Sequence, residues 1–132
     1  MKEERGALSG AELDVLKALW DVGPATVRRL SDELSKRGRS WAYTTVLTLM
    51  QRLANKGYAT IDPSAHAHVY HPTTTRDELV RLRLRDVADQ LCDGSTAPLV
   101  LNLIEGREFT SEDIDRFRRL IDDWDARRGE PQ

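Results

Sequence analysis

Between Tyr43 and Asn55 one set of side chains is equipped for recognition chemistry: Thr44, Thr45, Thr48, Gln51 and Arg52, with Tyr43 before them and Asn55 behind. At helical pitch these lie opposite a stripe of Val46, Leu49, Met50 and Leu53, and Leu47 falls on the polar side. Hydroxyls, threonine methyls, an amide and a guanidinium are the groups that match base edges and thymine methyls in a major groove. A merely solvated helix would favour Lys and Glu, because threonine is a poor helix former. Three threonines on one exposed face therefore predict a ligand, and nucleic acid is the one their chemistry fits.

The charge distribution agrees. The 132-residue chain carries a formal net charge of −2, but its halves differ. Between residues 25 and 60, Arg28, Arg29, Lys36, Arg37, Arg39, Arg52 and Lys56 face only Asp32 and Glu33. That local excess suits phosphates, and it adds Arg39 and Lys56 to the residues expected at DNA. From Arg76 onward acids outnumber bases, so that half is ill suited to a polyanion.

Other chemistry finds little support. The sequence contains no HExxH, no glycine-rich phosphate loop and no nucleophile motif, so no enzyme and no cofactor are expected. His66 and His68 share one strand face with His71 close by, a pattern that lacks further metal ligands. Cys92, the single cysteine, permits no intrachain disulfide and is expected as a small buried residue. The polar start Met1-Lys-Glu-Glu-Arg-Gly6 is unlike a signal peptide, and no long apolar run would insert in a membrane, so a cytoplasmic protein is expected.

The elements that must position these residues follow from caps and periodicity. Ser9-Gly-Ala-Glu12 is a capping box before a helix over 10–21 carrying Leu13, Leu16, Leu19 and Trp20. Gly23-Pro24 ends it. Thr26 caps a second helix bearing Val27, Leu30 and Leu34, and the third spans 42–56, stopped by Gly57. Residues 58–61 and 67–70 read as two strands around Asp62-Pro63-Ser64-Ala65-His66, so three helices and a hairpin form a winged helix-turn-helix over 1–74. Thr75-Arg-Asp-Glu78 then opens three further helices over 75–132, with a frayed tail from Arg127. Their stripes, Val80, Leu84, Val87 and Leu91, then Leu99 and Leu103, then Ile114, Phe117, Ile121 and Trp124, exceed what so short a segment can bury alone. A mainly α chain with a C-terminal dimerisation segment is the expected architecture.

The run Trp41-Ala-Tyr-Thr-Thr-Val-Leu-Thr-Leu-Met-Gln-Arg-Leu-Ala-Asn-Lys-Gly57 resembles the recognition helix of the BlaI/MecI family of penicillinase and methicillin-resistance repressors. Leu13 to Trp20, Ala25-Thr-Val-Arg-Arg-Leu30, Arg76-Asp-Glu-Leu79 and Leu99-Val-Leu-Asn-Leu-Ile-Glu105 fit the family pattern in the same order. The resemblance implies a homodimeric repressor on a palindromic operator of TACA/TGTA-like half-sites, with Tyr43, Thr44, Thr45, Thr48 and Arg52 matching DNA contacts. It also implies a membrane sensor-protease of the BlaR/MecR type that answers β-lactams and triggers cleavage, with Asn102–Leu103 as the matching bond. Trp41 is expected under the helix start rather than on DNA. The family hairpin usually carries an arginine near its tip; here the tip offers only His66 and His68, which puts wing contact in doubt. The paired CxC motif of the copper-responsive branch is absent. Two alternatives stay open: a winged-helix regulator relieved by a small effector, and a winged-helix module used only for protein contacts.

Overall fold

The computed structural model describes residues 6–64 and 66–129. The element order is α1 (Gly10–Val22), α2 (Val27–Lys36), α3 (Tyr43–Asn55), β1 (Ala59–Asp62), β2 (Val69–Pro72), α4 (Arg76–Leu91), α5 (Ala97–Gly106) and α6 (Ser111–Arg128). Two compact units divide between Arg83 and Leu84. The first turns of α4 therefore belong with the winged helix, whereas the sequence places a boundary at residue 75.

Caps start the helices where the sequence puts them. Ser9 Oγ accepts from the Glu12 N–H, and the Glu12 carboxylate accepts from the Ser9 N–H, which completes the capping box of α1. Thr26 accepts from the Arg29 N–H at the start of α2, and Thr110 from the Asp113 N–H at the start of α6. The chain turns at Gly23, Gly38 and Gly57 with φ near +86°, +89° and +87°, conformations that a side chain would strain.

The three N-terminal helices enclose one core. Val15, Leu16 and Leu19 of α1, Leu30 and Leu34 of α2, and Val46, Met50 and Leu53 of α3 are buried together with Tyr58 and Tyr70. Leu47, placed on the polar side of α3 by helical pitch, packs half-buried against this core. Trp41 also packs against it, beneath the Arg39 guanidinium.

The wing pairs Ala59 with Pro72, Thr60 with His71, Ile61 with Tyr70 and Asp62 with Val69. The second strand thus begins two residues later than the sequence suggests. The cause is Tyr70: its ring is buried, and its N–H and C=O both bond the Ala25 backbone, so register follows that residue. Asp62 accepts from the Ser64 N–H and hydroxyl, which shapes the turn after β1.

In the second unit α5 and α6 bury no residue completely. Phe109 and Phe117 meet edge to face with centroids 5.0 Å apart. Leu103, Ile114, Ile121 and Trp124 are exposed, as are Val80, Leu84, Val87 and Leu91 along α4. Cys92 is only partly buried, against expectation, because it sits past the end of α4. Helix α6 continues through Arg128, where a frayed tail was expected from Arg127. Arg127 lies over the Trp124 ring, and two cations sit favourably at the helix C-terminus. Among the described residues no helix is long and apolar enough to cross a membrane.

Candidate nucleic-acid interface

Helix α3 presents Tyr43, Thr44, Thr45, Thr48, Gln51 and Arg52 to solvent, while Val46, Leu49, Met50 and Leu53 hold its other side in the core. Thr44, Thr45, Thr48, Leu49 and Arg52 line a shallow recess of about 280 Å³. The Thr48 hydroxyl donates to the Thr44 carbonyl at 2.9 Å. Its donor is therefore occupied inside the helix, and what remains for a base edge is an acceptor oxygen and a methyl group. Ala42 at the N-cap has no side chain to cap α3. Tyr43 stands half-exposed beside this helix start, close enough to Tyr70 that, after burial, it helps push the Tyr70 phenol above its ordinary pKa.

The seven bases between residues 25 and 60 are less available than their number suggests. Arg37 bonds Glu33 at 3.0 Å and Asp21 at 2.8 Å, Arg29 reaches Glu33, and Arg39 lies 2.9 Å from Asp14. Two carboxyls in these pairs, Glu33 and Asp21, are held below their usual range chiefly by the Arg37 hydrogen bond. Arg28, Lys36 and Arg52 make no ion pair among the described residues.

Lys56 departs most from expectation. Its ammonium donates to Glu12 Oε1 at 2.6 Å and to the Ala7 carbonyl at 2.7 Å, while Glu12 is only 2% exposed. Burial alone would raise the Glu12 carboxyl; the Lys56 and Ser9 hydrogen bonds outweigh it and hold the group below its ordinary value. Lys56 thus secures the end of α3 to the start of α1, a role its place in a basic run concealed. Tyr58 adds a bond from its hydroxyl to the Gly6 carbonyl.

His66 and His68 are exposed at the wing, before β2. The described part of the wing tip carries no Arg or Lys. Arg28 and Lys36, both exposed on α2, are likewise free of ion pairs among the described residues. In the sequence both belong to the basic stretch between residues 25 and 60.

The profile of the family described as penicillinase repressor matches residues 8–123. The transcriptional regulator BlaI of Mycobacterium tuberculosis is 36% identical over 124 residues, covering 92% of this chain and 88% of that one. The penicillinase repressor of Bacillus licheniformis is 24% identical over 123 residues, covering 93% and 95%. Among solved structures, the DNA-binding domain of the repressor BlaI superposes with a TM-score of 0.50 at 29% identity, covering 59% of this chain and 93% of that domain.

Proposed function

The chain belongs to the penicillinase repressor family of transcriptional repressors, and from that premise we propose that it grips a palindromic operator of TACA/TGTA-like half-sites as a homodimer. The observation that carries this reading is the exposed Tyr43–Arg52 face of α3, opposite a buried apolar stripe. A helix held that way can enter a major groove with Arg52 on a phosphate or guanine edge and the threonines against bases and methyls. Gln51 extends the same face. Arg39 lies at its entrance, with its guanidinium shared between Asp14 and the Trp41 ring. On the wing only the exposed His66 and His68 are offered to DNA, and they are given a minor share of the contact.

Pairing is assigned to the second unit. Val100, Leu103, Ile104, Phe109, Phe117, Leu120 and Ile121 line an apolar groove of about 600 Å³ between α5 and α6. Two copies closing such faces on one another would remove that apolar surface from water, a strong driving force for association. A small apolar effector in the same groove is the second reading, and it predicts saturable binding of one small molecule per chain.

Release is assigned to a cut at Asn102–Leu103 by a membrane sensor-protease of the BlaR/MecR type. That bond lies inside α5, where the Asn102 side chain donates to the Pro98 carbonyl at 2.8 Å. A protease must unwind the helix there, and α5 has no buried residue to resist it within one chain. The test is operator binding by fluorescence anisotropy across a salt series, with sedimentation of the same sample. A salt-independent affinity, or a monomer bound to one full palindrome, contradicts the reading. An intact chain, seen by mass spectrometry throughout derepression, contradicts proteolytic release.

A further inference from the structure

Where the wing hands the chain to α4, the connection is held by α1. The Trp20 indole N–H donates to the Thr74 carbonyl, and Thr74 is buried. One residue on, Asp21 Oδ1 lies 3.2 Å from the Arg76 guanidinium while its Oδ2 holds Arg37 at 2.8 Å. Arg76 also lies over the Trp20 ring, 5.4 Å from its centroid. The Thr73 N–H and hydroxyl bond the Tyr58 and Gly57 carbonyls, just past the end of α3, and Leu79 enters the core. All of these residues lie within the first compact unit.

An exposed ion pair by itself holds little. Here four kinds of contact converge on one turn of chain: an indole hydrogen bond, a cation over an aromatic face, an ion pair and an apolar anchor. A two- or three-residue link left free would let α4 swivel at its base. This one is tied down on both sides, to α1 by Trp20 and Asp21 and to the end of α3 by Thr73.

We infer that the Trp20–Asp21–Arg76 clamp is a specificity-determining element of operator recognition: by fixing the base of α4 on the reader, it sets which half-site spacing the dimer accepts. The inference rests on the dimeric reading above. A dimer reads two half-sites about one helical turn or a multiple apart, and two added base pairs turn one half-site by roughly 70° relative to the other. A stiff base cannot follow that turn, whereas a swivelling one can. None of the clamp residues is among those assigned to DNA, so the clamp would act on geometry and leave base contacts alone.

The experiment compares the full-length chain with Arg76→Ala and with Trp20→Phe, which keeps the ring and removes the N–H donor. Each protein is titrated against three duplexes: a single half-site, the best-spaced palindrome, and the palindrome with two base pairs inserted. Sedimentation fixes the oligomeric state, and thermal unfolding confirms the fold. The wild type is expected to prefer the best-spaced palindrome over the inserted one by about 10²-fold or more, the range that linked readers provide. Each variant should keep its half-site affinity and dimer mass but lose at least about tenfold of that preference. Unchanged spacing preference in both variants overturns the clamp while leaving the dimer reading intact. Weakened half-site binding also overturns it, because the contacts would then be serving the reader itself. A wild type that is monomeric, or indifferent to spacing, overturns the dimer reading and this inference with it.

Discussion

Lys56→Met separates a residue that works on DNA from one that works on the fold. The Lys56 ammonium is 2.6 Å from a carboxylate that is only 2% exposed, and deleting it leaves Glu12 dependent on its Ser9 hydrogen bonds, among them the N–H at 2.9 Å. Removing one partner of a buried pair costs about 3–5 kcal/mol. Because the Lys56 side chain is itself 30% exposed, the lower end, about 3 kcal/mol, is expected. In domains of this size that lowers the melting temperature by roughly 10–20 °C. Adding Glu12→Gln removes the stranded charge and should recover at least about 1 kcal/mol. Operator binding of the folded variant, measured by anisotropy at several salt concentrations below its melting point, should keep the wild-type salt slope, because Lys56 releases no counterion. A phosphate contact would instead lower the slope by about one per reader. An unchanged melting temperature together with a reduced slope would refute the internal role and return Lys56 to the DNA surface.

The other predictions are shorter. Arg52→Ala should leave stability within about 0.5 kcal/mol and weaken operator binding by roughly 1–3 kcal/mol per reader, read by anisotropy alongside circular dichroism. Replacing His66 and His68 with alanine should weaken binding less than Arg52→Ala does in the same assay; a larger loss would make the wing a principal contact. Glu12, held below its ordinary value of 4.5, stabilises the fold above about pH 4.5, and that contribution is lost as pH falls through the lower folded value. Thermal unfolding against pH should show a flatter acid limb in Glu12→Gln. A chain ending at Asn102 should bind single half-sites normally and lose about 10²–10⁴-fold on the palindrome, while a chain ending at Arg83 should sediment as a monomer.

How far the sequence could be read depended on how local the governing interaction was. Ser9–Glu12 and Thr26 act within one turn, so the first two helices are found within a residue or two of their ends. The stripe of α3 is equally local, and Val46, Leu49, Met50 and Leu53 are buried as spacing requires. Long-range contacts were invisible. Tyr70 takes its register from Ala25, and nothing in residues 67–72 announces that partner. Lys56 looks like any basic surface residue until α1 brings Glu12 beside it, 44 positions away in the chain. Leu47 sits on the polar arc by angle yet packs half-buried against the core. Trp20 reads as one more apolar residue of α1, although its indole N–H holds the chain at Thr74.

Helices that bury no residue of their own have a consequence for gene dosage. In the dimer proposed above, α5 and α6, which bury no residue completely within one chain, would draw part of their ordering free energy from pairing, and competent repressor would then depend on how many copies the cell holds. At low abundance the population of competent repressor then grows with roughly the square of protein concentration, so halving the supply lowers promoter coverage by more than half. A switch built this way has a threshold in copy number. It can be thrown by slowing synthesis or by diluting the protein through growth, as well as by any signal that acts on the chain itself.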